Sequence, residues 1–457
     1  MFYLWYNSTY KNAVNSTFGR GFRVIKRKDK RKIEGNTNYF FEFIRIKDHF
    51  FKNMNSWLKK VADHRHQSYK KYEPEVILLL MILKNVFSLK SMRSMTDELN
   101  QDLVIDNLGK VLDIDLEELP HYDTINNFLK KLSPEELGKI RTYMIKELLK
   151  KRSLEHYRIN GKYWGIIFDG TGLFTFDEKH CEHCLRRKYT NNETGETKII
   201  YMHHVLEAKL VVGDMVLSIG TEFIENESED VEKQDCELKA FYRLAERIKK
   251  DYPRLPICIL GDSIYAAEPV FQICDNYKWK YLFRFKEGRI KSIAGEFSKI
   301  KTLEGKCEEE ITWVNEISYN NREVNVLEGV VENKKGEKIT YLFITNIRVT
   351  KRNAMILLTI GRSRWKIENE GFNNQKNIRY YIEHVNSHNY NAMKNHYLLT
   401  QIADILVQLF ENGLSIFRLV KKTAKEISSK LLEAIRTRMI TDEDILQLAK
   451  PIQVRFA

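Results

Sequence analysis

Apolar positions follow one rhythm up to about residue 155 and another after it. Pro74 precedes Glu75-Val-Ile-Leu-Leu-Leu-Met-Ile-Leu, a run of buried-helix length. A proline suits a first helical position, where its missing N–H leaves no bond unmade. Tyr122-Asp-Thr-Ile-Asn-Asn-Phe-Leu-Lys-Lys-Leu132 has the spacing of a short amphipathic helix. Ser133-Pro-Glu-Glu136 has the form of a capping box and predicts a helix to about Lys151. Several short helices of this kind suit a DNA-reading module or a plain bundle packed on the next domain.

Beyond residue 160 the apolar runs shorten. Tyr163-Trp-Gly-Ile-Ile-Phe168 predicts a buried strand ending in a turn at Asp169-Gly-Thr-Gly172. Residues 198–212 and 215–224 predict two more strands, joined at Gly213-Asp214. From Asp235 to Tyr252, Leu238, Phe241, Leu244, Ala245 and Ile248 share one side of a helix. Ile257-Cys-Ile-Leu260 is another buried strand, ending at Gly261-Asp262-Ser263, and Trp279 to Phe285 is a further one. Strand, two strands, helix, strand, helix, strand is the order of a ribonuclease-H-like core. The expected fold class is therefore α/β with a mixed sheet. Ile311-Thr-Trp-Val, Val324-Asn-Val-Leu and Ile339-Thr-Tyr-Leu-Phe-Ile344 predict a β-rich insertion with turns at Tyr319-Asn-Asn and Asn333-Lys-Lys-Gly. Helical sequence returns near Ala354 and runs through Glu368. The chain thus divides into a basic arm (1–70), a helical, DNA-binding region (71–155), the core (156–287), the insertion (288–347), a core helix (348–383) and a helical tail (384–457).

Composition sharpens this picture. The chain has 457 residues, 43% of them hydrophobic, with 7 prolines and 21 glycines, so ordered structure should dominate. Its formal charge of +13 favours polyanionic partners, nucleic acid first. Residues 1–70 hold sixteen Lys/Arg against five Asp/Glu, densest from Arg20 to Lys32. Such a run suits phosphate contacts, and equally a solvated arm. No run is apolar enough to span a bilayer, and the N-terminus lacks the basic start and cleavage site of a secretory signal. Six cysteines are too few for a disulfide scaffold, and the expected compartment is a reducing cytoplasm.

Asp169 and Asp262 each stand at the end of an apolar strand, the edge where open α/β sheets form their sites. Singly, either reads as a turn or cap residue. On adjacent strands they would repel, and a bound cation would remove that cost. A third group lies in Gly361-Arg-Ser-Arg-Trp-Lys-Ile-Glu-Asn-Glu-Gly-Phe-Asn-Asn-Gln-Lys376. On a helix, Arg364 and Glu368 share a face, while Trp365 and Phe372 would anchor it to the core. Alone, that pair reads as a surface salt bridge.

At Phe168-Asp-Gly-Thr, Leu260-Gly-Asp-Ser-Ile-Tyr-Ala266 and Arg362-Ser-Arg-Trp-Lys-Ile-Glu368, the chain resembles cut-and-paste insertion-sequence transposases of the Asp-Asp-Glu type. It looks like the group with a Tyr-Arg-Glu-Lys signature around the third carboxylate. The resemblance spans roughly residues 120–400 and includes the β insertion. It implies that Asp169, Asp262 and Glu368 hold Mg²⁺ or Mn²⁺ for two-metal phosphoryl transfer, and that Arg364 and Lys376 bind DNA phosphate. It further implies terminal inverted repeats and target DNA as partners, a homodimer that synapses both ends, and a bacterial or archaeal nucleoid setting. Two positions depart from the signature. Gly361 stands where the tyrosine belongs, and Gln375 takes the lysine's place with Lys376 following it. An extra residue after Glu368 would account for this shift and makes Glu370 a rival ligand.

His180-Cys-Glu-His-Cys184 with His203 and His204 downstream has zinc-like spacing. The best set is Cys181, Cys184 and His203, with His180 and Cys236 as further candidates and a polar hairpin with free thiols as the alternative. Two other functions fit parts of the pattern: an inactive transposase-derived DNA-binding protein, and a different ribonuclease-H-like nuclease.

Overall fold

The computed structural model describes residues 27–457 apart from 192, 227–232, 304, 305, 309, 334, 415–421, 451, 455 and 457. The basic stretch Arg20 to Lys26 and the chain start lie outside the described residues. Helices come first: Arg27–Asn36 (α1), Tyr39–Phe51 (α2), Met54–Lys59 (α3), Pro74–Val86 (α4), Met92–Leu99 (α5), Asp102–Leu112 (α6), Tyr122–Lys131 (α7) and Pro134–Lys150 (α8). Pro74 opens α4, which is buried on every side. Ser133 stands at the N-cap of α8 without a side-chain cap bond. The expected capping box does not close, because Glu136 is drawn to Lys139 one turn on, at 2.6 Å.

The stretch expected as a basic arm changes character at Tyr39. Arg27, Lys28, Arg31 and Lys32 on α1 are exposed. In α2, Phe40, Phe43, Ile44, Ile46, Phe50 and Phe51 are buried, and Phe43 meets Phe410 edge-on at 5.6 Å. Aromatic density outweighs the scattered charges from this point on.

The strands are Trp164–Phe176 (β1), Leu185–Thr190 (β2), Thr197–Val212 (β3), Met215–Ile224 (β4), Ile257–Gly261 (β5), Lys280–Arg284 (β6), Lys306–Glu308 (β7), Ile311–Tyr319 (β8), Arg322–Glu332 (β9) and Lys338–Thr345 (β10). Between them lie Glu237–Asp251 (α9), Glu268–Tyr277 (α10) and Lys291–Leu303 (α11). The described strands form one sheet in the order β2-β3-β1-β5-β6-β10-β9-β8-β7, with β4 also on β3. Its centre, β4-β3-β1-β5-β6, is antiparallel across the first three and parallel across the last three, the ribonuclease-H-like arrangement. β10 pairs antiparallel with β6, so the β-rich insertion extends the core sheet rather than forming a separate layer. It opens with α11, a helix that the β-rich pattern did not predict.

After β10 come Ala354–Arg362 (α12), a 3₁₀ turn Ser363–Trp365 and a π-helix Ile367–Ile378. The tail adds Tyr390–Gly413 (α13), Ala424–Thr437 (α14) and Asp442–Leu448 (α15). α13 is buried along most of its length and joins the layers. Asn395 Nδ2 donates to the Leu129 and Leu132 carbonyls, each at 2.8 Å. Gln408 brackets Val216 on β4, accepting from its N–H at 2.8 Å and donating to its carbonyl at 3.0 Å. The edge of β4 is thereby covered. No described helix is long and apolar enough to cross a membrane.

Truncating the α2–α13 contact tests this packing. Phe410→Ala should cost about 3–5 kcal/mol in denaturant unfolding, whereas Met439→Ala, at a residue 58% exposed, should stay within about 0.5 kcal/mol.

Candidate active site

The site lies where β1 outruns its parallel partner. β1 pairs with β5 up to Ile167↔Leu260. Carried two residues further, this register sets Asp169 beside Asp262. The sequence predicted a strand end and turn at Asp169, but β1 continues to Phe176 because β3 pairs along it, with Asp169 opposite Glu207. Asp169 is thus held mid-strand on one side and freed from parallel pairing on the other. Asp262 directs Oδ1 at the Ile264 N–H, 2.8 Å away, so the chain turns back at once after β5.

The 3₁₀ turn and π-helix bring the third group. Arg364 donates from Nη1 to Asp169 Oδ2 at 3.2 Å and from Nη2 to Glu368 Oε1 at 3.0 Å. The predicted pairing of Arg364 and Glu368 on one helical face is present, and one guanidinium bridges residues from opposite ends of the core. Glu368 and Glu370 are both exposed, and it is Glu368 that meets Arg364. The anchoring differs from expectation. Phe372 is buried, but Trp365 is 42% exposed, and Ile367, Gly371 and Gln375 complete the buried seam. Lys366 ties the helix to the β3–β4 hairpin through the Gly213 carbonyl at 2.6 Å.

Neither candidate for the shifted lysine touches the carboxylates. Gln375 is buried and bonds Asp404 at 2.8 Å and Gln401 at 3.0 Å, while Lys376 pairs with Glu383 at 2.8 Å. Gly361 lies against Phe343, where an added Cβ would meet the ring at 2.6 Å. A larger side chain there has no room.

A fourth carboxylate escaped the sequence reading. Glu237, in the first turn of α9, approaches Gly170 so closely that a Cβ there would stand 2.8 Å from Glu237 Oε2. Tyr265 donates to Glu237 Oε1 at 2.6 Å. The only sequence signal was Gly170 itself, since an acidic residue opening a helix ordinarily answers the helix dipole.

Electrostatics mark the cluster. Burial pushes the Asp169 carboxyl up to about 7; Arg364 opposes this, while Glu237, Glu368 and Asp262 reinforce it. Burial also raises Glu237, opposed by the Tyr265 hydrogen bond and reinforced by Asp262. Arg364 bonds Asp169 and Glu368 and acts through space on Glu237 and Asp262, so the acids outnumber the guanidinium. That donor chemistry suits a hard divalent cation.

Cys181, Cys184 and His203 form a separate cluster. Cys181 Sγ lies 3.6 Å from Cys184 Sγ and 3.4 Å from His203 Nε2, and Cys184 Sγ lies 3.5 Å from His203 Nε2. His180 instead bonds the His388 carbonyl at 2.8 Å, and Cys236 is exposed at the N-cap of α9. Alternation along β3 turns His204 to the other face, beside Gly172.

A family model described as transposase DDE domain group 1 matches residues 214–452, more than half of the chain. The chain belongs to this family. The matched stretch contains Asp262, Glu368 and Arg364, and Asp169 lies before it. A second model, described as DDE_Tnp_1-associated, matches residues 56–143, from α3 into α8. Among solved structures, the chain is similar to a piggyBac transposase in a synaptic complex with hairpin DNA. The identity is 10% and the TM-score 0.37, over 94% of this chain and 85% of that one. No curated protein matches.

The tight approach at Gly361 yields a test. Gly361→Tyr should destabilise the protein by about 1–3 kcal/mol through overpacking against Phe343, read in denaturant unfolding. A variant as stable as the parent would refute the close packing.

Proposed function

We propose that this member of the transposase DDE domain group 1 family is a cut-and-paste DNA transposase of the Tyr-Arg-Glu-Lys group, acting by two-metal phosphoryl transfer. The observation that carries the reading is the bridging of Asp169 and Glu368 by Arg364 beside Asp262, on a ribonuclease-H-like sheet. Asp169, Asp262 and Glu368 offer the oxygen donors for Mg²⁺ or Mn²⁺. Bound there, such ions stabilise charge on the attacking and leaving oxygens of a phosphodiester. Arg364 presents two N–H donors in a plane, a fork that fits two phosphate oxygens as well as the two carboxylates it now spans. Glu237, fixed by Tyr265, adds negative charge and helps hold the cluster's affinity for cations. Trp365 is exposed beside the start of this helix, and half-buried Lys376 lies near its end. Double-stranded DNA with terminal inverted repeats is the substrate in this reading, and a homodimer pairs the two ends.

The exposed basic helix α1 and the basic sequence before it supply further phosphate contacts. The helical region from α3 to α8 presents the repeat-recognition surface.

Purified protein, Mg²⁺ and a DNA fragment bearing the element's own terminal repeats decide the matter. The expected result is cleavage at the 3′ ends of the element. Asp169→Ala, Asp262→Ala and Glu368→Ala should each lower cleavage by at least about 10²-fold with repeat binding retained, and Glu370→Ala should leave cleavage intact. Binding without cleavage by the parent protein, or cleavage indifferent to the repeats, would sink the reading. Deleting residues 1–36, which stops short of buried α2, should weaken DNA binding and flatten its dependence on salt. An unchanged slope of log affinity against log salt would remove the basic segment from the interface.

A further inference from the structure

We propose that Cys181, Cys184 and His203 bind a structural zinc ion that locks the turn between β1 and β2 onto β3 and the start of α13. Zinc–ligand bonds of about 2.3 Å to sulfur and 2.0–2.1 Å to nitrogen place tetrahedral ligand pairs roughly 3.5–3.8 Å apart. The three separations here, 3.4–3.6 Å, form one face of such a tetrahedron. These are the only His, Cys, Asp or Glu residues among those described whose ligand atoms cluster this closely in threes. The fourth corner falls to a water molecule or to neighbouring His180.

The backbone builds this face without strain. β2 and β3 pair with Leu185 opposite Met202, so one step back sets Cys184 opposite His203. The Cys-x-x-Cys turn then returns Cys181 to the same point, closed by the Cys184 N–H on the Cys181 carbonyl at 3.3 Å. The Cys181 N–H points at Cys184 Sγ from 3.4 Å, the kind of outer hydrogen bond that supports a thiolate ligand. A disulfide does not explain the arrangement. The sulfurs stand 3.6 Å apart, against about 2.05 Å for a bond, and a disulfide leaves the imidazole nitrogen facing both sulfurs without a role.

What surrounds the cluster says what the ion does. His183 Nδ1 bonds the Asn226 carbonyl at 2.8 Å, and Asn226 Nδ2 donates to the Cys184 carbonyl at 2.9 Å, joining the turn to the end of β4. Tyr390, in the first turn of α13, stacks on the His203 ring with centroids 4.2 Å apart. Beyond the turn, β2 carries exposed Arg186, Arg187 and Lys188. A zinc ion would hold this basic hairpin in a set orientation to β1, the strand that carries Asp169. The inference uses residues outside the carboxylate cluster and stands or falls independently of the transposase reading.

The test measures metal rather than activity. Full-length protein purified reduced and without chelators should hold one zinc per chain by mass spectrometry. Cys181→Ser and His203→Ala should each lower this at least tenfold, and Cys236→Ser should keep it. Zinc well below one per chain, or content indifferent to Cys181 and His203, would overturn the proposal. Should the variants fail to fold, the parent protein decides alone. Replacing zinc with Co²⁺ should give a thiolate-to-cobalt charge-transfer band and intense tetrahedral visible bands. A reduced protein that takes up Co²⁺ without the thiolate band would overturn the site, since carboxylate sites give none.

Discussion

Acidic groups forced together in a half-buried site repel one another, and the geometry of this molecule is organised around holding them there. Asp169 feels burial first and then the fields of Glu237, Glu368 and Asp262, with Arg364 the opposing charge. Left to itself, such a cluster would spread apart or take up protons. It stays together because each acid is mounted on a different rigid support: β1, the end of β5, the first turn of α9 and the helical segment after α12. The single guanidinium meets only part of the repulsion.

The supports are fixed to one another through α13. Asp404 and Gln401 on that helix bond Gln375 beneath the π-helix, and Gln408 clips the backbone of β4. Asn395 and Asn391 take hold of the carbonyls that end α7. Because most of these partners are buried, loosening any one of them leaves an unpaired polar group, a cost on the order of 1–3 kcal/mol. The helical region is therefore not a tethered module. Through α13 it is joined to the π-helix that carries Glu368.

Much of this was legible in the chain. Short apolar runs ending at Asp169 and Asp262 marked the two central strands, and spacing alone picked out Cys181, Cys184 and His203. What was missed shares a cause: long-range partners invisible to local pattern. Gly170 and Gly172 suggested a turn, yet β3 pairs across them and keeps β1 extended. Trp365 looked like an anchor by its distance from Phe372, but the helix is not α-helical between them, so a spacing of seven no longer means one face. Glu237 had nothing local to distinguish it from an acidic helix start. The charge count of residues 1–70 hid the aromatic stripe of α2, which composition averages away.

The π-helix explains the most puzzling feature of the third motif. One extra residue in an α-helix rotates everything after it by about 100°. Hydrogen bonding to the fifth residue instead of the fourth gives this segment a wider turn. Ile367, Gly371, Phe372 and Gln375 then keep their buried seam while Glu368 stays in register with Arg364. Glu370 is carried to the exposed side, and Lys376 reaches Glu383 rather than the carboxylates. Of the two glutamates, Glu368 is the one that pairs with Arg364.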